Sequence, residues 1–337
     1  AARTVRRRWM VVVGLAIVAI ALSRVSLDDL GELLRSLDPR LLPLLLLPLV
    51  VTYLAFYWGW QVLWPANEAR ARWRLGVRAF LVGEAANLFT PAQMGGEPIK
   101  VLALPPEHRR AAFASVVASR SLRVLAQLVF MAVALLLASG RTTLPEGLAR
   151  ALLVGGGALA ILLVCFLVLQ GFGLTLRLVS LAERLGLGVG LERRRWLGEA
   201  DATLRAAYRR PWAVLASTSL AGLGWLAGAS ELWLVALAAG RPLSFADAVV
   251  GEGLALCVAT LFFFVPAQVG MIEGARIFAL EALGAGASLG LLAGVVRRLR
   301  HYLLASVATL YGGASLFVGD ATKEGPGPAT EVDRAAG

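Results

Sequence analysis

Long apolar stretches separated by short arginine-rich loops dominate this chain. A basic start, Arg3 to Arg8, leads into a short apolar run from Trp9 to Leu22. Ala21 and Ser23 would suit a signal-peptide cleavage site, but the many apolar runs that follow predict an uncleaved first span. Between 26 and 37 the pattern changes. Leu27, Leu30, Leu33, Leu34 and Leu37 share one face, with Asp28, Asp29, Glu32 and Arg35 interspersed, predicting an amphipathic helix lying at the membrane interface. Full-length spans are expected at 41–64, 112–138, 149–170, 212–239 and 288–317, with a further apolar run at 246–265. Residues 171–211 are the longest polar stretch and read as a cytoplasmic helical connector. The tail from 319 is rich in Gly, Pro and charge and is expected to be disordered.

Two places break this pattern in the same way. The run 77–90 is short and holds Glu84 and Asn87; it leads into Pro91-Ala92-Gln93-Met94-Gly95-Gly96-Glu97 and then a brief apolar arm ended by Pro105-Pro106. Late in the chain Pro266-Ala267-Gln268-Val269-Gly270 precedes Glu273 and a second arm at 273–283. Each copy continues as Glu-x-x-cation, Glu97 with Lys100 and Glu273 with Arg276, pairs that share a helix face. Arginine runs follow, Arg120-Ser-Leu-Arg123 and Arg297-Arg-Leu-Arg300, 23 and 24 residues beyond their glutamates. Pro91, Gly95, Gly96, Pro266 and Gly270 are therefore read as the turns of two re-entrant helical hairpins, in which non-helical backbone is shielded by protein or water. The repetition predicts two copies of one unit, as in carriers built from repeats. The first repeat spans 1–170 and the second takes 149–170 as its first helix and continues over 212–318. With the N-terminus in the cytoplasm and three crossings per half, the second half is inverted. The arginine loops at 65–78, 105–111 and 171–211 then fall inside and both termini are cytoplasmic, as the positive-inside rule requires. The expected fold class is an all-α polytopic membrane protein of two inverted repeats, each with about three transmembrane helices and a hairpin.

Composition agrees. The 337 residues are 58% hydrophobic, 16% charged and carry a net charge of +11, with a mean hydropathy of +0.73, which excludes an ordinary soluble domain. Lysine occurs only at 100 and 323. The arginine excess follows equally from codon usage or from contact with anionic headgroups. Cys165 and Cys257 sit in apolar runs, and His108 and His301 are the only histidines, so neither a disulfide nor a metal centre is expected. No nucleophile elbow, phosphate-binding glycine loop or nucleic-acid motif stands out, so no enzyme activity, cofactor, metal or nucleic-acid partner is expected.

The chemistry lies in buried charge. Arg120 and Arg123 fall about ten residues into their span, roughly 15 Å deep; Arg297, Arg298 and Arg300 are similarly placed. A guanidinium at such depth costs at least about 2.5–3.5 kcal/mol. Glu97 and Glu273 could hold these arginines in static ion pairs. The functional alternative leaves part of the charge to an anionic substrate, which arginine suits bidentately. With Glu84, Glu252 and Glu231 also turned inward, and Lys100 and Arg276 added, seven cations face five carboxylates. Gln93 and Gln268 can hydrogen-bond a headgroup. Glu97 and Glu273 double as candidate protonation sites. Glu231 and Gln61 stand at parallel places in their spans, which a helix–helix hydrogen bond explains as well.

The two signatures resemble the membrane domain of lysylphosphatidylglycerol synthases, a flippase-like integral membrane family. Pro266–Gly274 and the Arg-Arg-Leu-Arg run at 297–300 look most like its hopanoid-biosynthesis-associated branch, and the resemblance covers roughly residues 5–318. It implies movement of a lipid, notably aminoacylated phosphatidylglycerol, between leaflets of the bacterial cytoplasmic membrane. Synthase members carry an additional soluble aminoacyl-transfer domain, which does not follow the last span here, so transport rather than synthesis is expected. The expected partners are membrane lipids with an anionic headgroup. A carrier for a small water-soluble anion, or a non-catalytic partner of a lipid-biosynthesis enzyme, are the alternatives.

Overall fold

The computed structural model describes residues 27–66, 68–88, 90, 95–138, 191–261 and 271–313, with single positions at 150, 154, 157, 158, 161 and 165. The expected spans at 9–22 and, but for those positions, 149–170 lie outside the described residues. So do Pro91, Gln93, Pro266, Gln268 and Gly270 in the two turns, and the tail. What is described is all helical: α1 (Leu27–Ser36), α2 (Leu46–Val62), α3 (Trp73–Asn87), α4 (Gly96–Leu102), α5 (Arg109–Ala138), α6 (Leu191–Tyr208), α7 (Pro211–Ala238), α8 (Phe245–Leu261), α9 (Met271–Ala282) and α10 (Ala287–Ala308).

Local chemistry sets the ends. Pro211 opens α7 where a missing N–H costs nothing. Gly240 closes it at φ +68°, with Gly240 N–H donating to Leu237 O and Arg241 N–H to Ala236 O. Gly284, at φ +72°, closes α9 with the same pair of bonds, to Glu281 O and from Ala285 to Leu280 O. Both are left-handed caps that a Cβ would strain. Ser244 caps α8, its Oγ accepting from the Asp247 N–H at 3.1 Å.

Three helical segments are long and apolar enough to cross a membrane: Leu42–Val62, Pro106–Ala138 and Pro211–Ala238. They match the spans expected at 41–64, 112–138 and 212–239. The apolar run at 246–265 appears as α8, described over 17 residues, and the span expected at 288–317 appears as α10, which carries Arg297, Arg298, Arg300 and His301. Neither qualifies by length and composition among the described residues. Charge explains α10, since its arginines need protein around them.

The bundle is centred on α2 packed along α7. Thr52 reaches Gly224 O across that seam, and Phe56 fills the space beside Gly224, where a Cβ would come within 2.4 Å of its ring. Trp60, Trp64 and Phe80 form the largest buried aromatic group, with Trp60 Nε1–H donating to Ser115 Oγ at 2.9 Å. Leu46, Leu47, Val50, Leu54 and Trp58 are exposed on α2, a face suited to lipid. The α3–α4 pair packs through its glycines: a Cβ on Gly96 would lie 1.8 Å from Gly83 O. In the second half α9 packs on both α8 and α10, and Gly290 lets α10 approach the backbone of Ile277. The two halves meet along that α2–α7 seam, and also where α5 lies against α7 and α8 and α10 against α3.

Two of the expected helices are present and lie against protein. The apolar edge of α1 is covered by protein: Leu33 is buried among Leu232, Val235, Leu280 and Leu289. Ser36 Oγ and the Asp38 N–H bond to the carbonyls of Ala239 and Ala238 at the end of α7, so α1 is a strap on the bundle. The polar connector is likewise packed. Ala200, Leu204 and Ala207 of α6 are buried, and Leu204 packs against Leu63, Ala118 and Leu122. Arg110 joins Glu199 and Glu68 there, and those bonds hold the Glu199 carboxyl below the usual carboxylate range, with Arg195 helping.

Candidate functional site

In the first half, α3 turns Glu84 inward, α4 supplies Lys100, and α5 supplies Arg123 one turn after Arg120. Lys100 Nζ donates to Glu84 Oε1 at 2.7 Å and to Glu97 Oε2 at 2.9 Å. Arg123 Nη1 donates to the same Glu84 oxygen at 3.0 Å, and its guanidinium lies 4.1 Å over the Phe56 ring. Glu97 accepts from Asn87 Nδ2 at 3.2 Å, with Arg120 Nη1 3.9 Å away. Asn87 also accepts the Gly96 N–H at 2.7 Å, and Thr90 Oγ1 accepts that of Gly95. The polar end of α3 therefore fixes the start of α4.

The second half repeats this on different helices. Glu252 of α8 is fully buried. It accepts Arg276 Nη2 of α9 at 3.0 Å and Arg297 Nη1 of α10 at 2.6 Å. Arg298 forks onto Glu273 at 2.5–2.7 Å. Glu231 of α7 adds a member with no counterpart in the first network: it pairs with Arg300, and Arg297 Nε lies 3.4 Å away. Arg297 Nη2 donates to Gly228 O at 3.0 Å.

A family model, the lysylphosphatidylglycerol synthase TM region, matches residues 9–308. The chain belongs to this lysylphosphatidylglycerol synthase transmembrane-region family. No curated protein matches it.

Within this family member, all twelve charged residues singled out in the sequence are gathered into the two networks: Lys100, Arg120, Arg123, Arg276, Arg297, Arg298, Arg300 and Glu84, Glu97, Glu231, Glu252, Glu273. Each of the seven cations is ion-paired with a carboxylate. The excess is collective, two charges over the whole set. Glu97 and Glu273 do not neutralise the arginines alone either; Glu84, Glu252 and Glu231 hold the inner ones. The networks are layered. Glu84, Lys100, Arg123, Glu252, Arg276 and Arg297 are almost wholly buried, whereas the Arg120 and Arg298 side chains are each 21% exposed.

Pairing also changes which arginines correspond. The repeated motif aligns Arg120 with Arg297 and Arg123 with Arg300. By partner, Arg123 and Arg297 play one role, on Glu84 and Glu252, while Arg120 and Arg298 play the other, on Glu97 and Glu273. Residues the motif did not point to are Asn87, Gly228 and Tyr53. Asn87 had one signal, its place one turn after Glu84 on the same helix. Tyr53 had none; it sits on α2 within electrostatic reach of Glu84 and Arg123 in one network and Glu231 and Arg300 in the other. Beside Arg123, a water-sized pocket is lined by Phe56, Gly59, Ser119 and Ser217.

Proposed function

We propose that the protein is a lipid translocase that moves an anionic or aminoacylated phospholipid, or a related lipid, between leaflets through its arginine-lined centre. The observation that carries this reading is the excess of seven cations over five carboxylates, gathered on helices packed against the three segments that are apolar enough to cross a membrane. A charge set that served only to hold helices together would gain nothing from two surplus guanidiniums at membrane depth. A phosphate-bearing headgroup neutralises them, with its acyl chains remaining in lipid. Family membership supports a lipid-related role.

The repeated arrangement of carboxylate, cation and arginine supports two repeats of inverted topology, with α3–α4 and α8–α9 as re-entrant hairpins dipping from opposite faces of a bacterial cytoplasmic membrane. Transport is passive or ion-coupled, with Glu97 and Glu273 as the proton carriers. The test is reconstitution into vesicles with fluorescent phosphatidylglycerol or phosphatidylcholine and a membrane-impermeant quencher. The expected result is protein-dependent loss of inner-leaflet protection, faster for the anionic lipid. No acceleration with either lipid, together with uptake of a small anion, would replace the translocase with a soluble-anion carrier.

A further inference from the structure

The two networks differ in how completely their hydrogen bonds are made. In the first, Lys100 and Arg123 both donate to Glu84 within 3.0 Å, and Lys100 and Asn87 serve Glu97. In the second, some donors have no acceptor. Arg297 Nε and Arg300 Nη1 face the two Glu231 oxygens as ion pairs. Among the described residues Arg276 Nη1 and Arg300 Nε are buried without a hydrogen bond. The Arg276 and Arg300 side chains are only 3% and 9% exposed, so bulk water does not serve them. Buried donors are nearly always matched, and two on two guanidiniums of one network, beside an ion pair that can be exchanged, call for a further acceptor with several oxygens. Tyr53 of α2 lies in the electrostatic field of Arg300 and Arg297.

We infer that a phosphate group binds in the second half, among Arg276, Arg297, Arg300 and Tyr53, in competition with Glu231. Phosphate has the acceptor oxygens for several guanidinium donors at once. Its charge also fits. Arg276, Arg297 and Arg300 against Glu231 and Glu252 leave one positive charge, which a phosphodiester monoanion neutralises. Tyr53 donates its hydroxyl to the same group and, lying beside Glu84 and Arg123, senses the state of the first network. The networks then have different tasks: the inner part of the first, Glu84 with Lys100 and Arg123, holds the fold, and the second, with donors in reserve, holds the phosphate. This assignment rests on the translocase reading for its source of phosphate, a lipid headgroup; a free phosphate ester offers the same chemistry.

The test uses the full chain purified in a maltoside detergent, as wild type, Tyr53→Phe and Arg300→Lys. Binding of phosphatidylglycerol, glycerol phosphate and inorganic phosphate is read as a rise in melting temperature, and retained phospholipid by native mass spectrometry. The wild type is expected to retain phospholipid and to be stabilised by phosphatidylglycerol. Each variant should bind it about tenfold more weakly. Stabilisation by glycerol phosphate or inorganic phosphate without retained lipid would keep the site and assign it a soluble phosphate. No stabilisation by any probe, or wild-type affinity in both variants, overturns the site and leaves those donors to water. The same preparations go into the fluorescent-lipid assay. Wild-type transport with unaltered binding in the variants removes this site alone. Binding lost in the variants, with no transport by the wild type, removes the translocase and keeps the site.

Discussion

Glu84 on α3 and Glu252 on α8 are counterparts, since each receives one cation from the next helix and one arginine from the long helix after it. For Glu84 these are Lys100 at 2.7 Å and Arg123 at 3.0 Å; for Glu252, Arg276 at 3.0 Å and Arg297 at 2.6 Å. Each carboxylate thus ties three helices together. Removing it leaves two buried cations facing each other. Replacing either glutamate with Ala is expected to destabilise by about 3–5 kcal/mol, the range for breaking a buried pair. Melting curves in detergent check this, and a shift no larger than that of an exposed control such as Glu107→Ala would show that the triads do not hold the helices.

The first helix pair depends on glycine for distance. A Cβ on Gly96 would stand 1.8 Å from Gly83 O, and one on Gly290 would stand 2.6 Å from Ile277 Cα. Gly96→Ala should therefore push α4 off α3, stretch the Asn87–Gly96 bond and cost at least about 1–3 kcal/mol. Gly290→Ala should do the same between α9 and α10. Gly222→Ala, in open space on α7, is the control expected to melt like the wild type.

The outer arginines separate function from stability. Arg120 and Arg298 are partly exposed beside Glu97 and Glu273, whereas Arg297 is nine-tenths buried between Glu231 and Glu252. Arg120→Ala and Arg298→Ala are expected to fold with near-wild-type melting and to lower lipid transport several-fold. Arg297→Ala is expected to lower the melting temperature first. Normal transport by a well-folded Arg120→Ala, Arg298→Ala double variant would remove the outer arginines from the lipid path.

Much of this centre was legible because the sequence repeats it. Pro-Ala-Gln-x-Gly, then Glu and a cation, then arginines at near-constant spacing locate nine of the twelve charged members; Glu84, Glu231 and Glu252 stand outside the motif, as carboxylates in apolar runs. Partnership was not legible. Arg297 and Arg298 are neighbours in sequence but point about 100° apart on a helix, so they serve Glu252 and Glu273 on separate helices. Arg120 and Arg123 divide the same tasks one turn apart. Motif alignment follows spacing, while ion pairing follows helix rotation. The packing of α1 was hidden for a related reason. An amphipathic stripe such as Leu27, Leu30, Leu33 and Leu34 fits a bilayer surface or a protein surface equally well, and only the neighbours on α7 and α10 decide.

The connector supplies a pH-dependent contact at the start of α5. Glu199 on α6 accepts Arg110 Nη1 of α5 at 2.8 Å, and its carboxyl is held below the usual range mainly by that bond. A carboxylate lowered in the folded state stabilises at pH values above its unfolded titration and loses that contribution as the pH falls through its folded one. Because the pair is exposed, the effect is modest and screened by salt. Hydrogen exchange of α6 is expected to be slow and flat with pH above the carboxylate range, after correction for intrinsic rates, and to rise below it. Glu199→Gln should show the faster exchange already at neutral pH. An unchanged profile in that variant would leave the docking of α6 to Ala200, Leu204 and Ala207.

The last prediction concerns the orientation of the two halves. The loop before α3 carries Arg70 and Arg72, with Arg74 in the first turn of α3 and Arg109 opening α5 just after α4, while the ends of α8 and α9 carry Arg241 alone at residues 240–244 and no arginine at 284–286. Positive loops remain on the cytoplasmic side. If α3–α4 enters and leaves from the cytoplasm and three crossings separate it from α8–α9, the second pair enters and leaves from the other face. Glu107 and Pro242 are exposed reporters of the two ends. In a background of Cys165→Ser and Cys257→Ala, Glu107→Cys is expected to react with a membrane-impermeant maleimide only after the cytoplasmic face is opened. Pro242→Cys should react in sealed right-side-out vesicles. Labelling of both from the same face would give the halves a parallel orientation. The two carboxylate networks would then have to be reached from one side, and an alternating-access route between them would be lost.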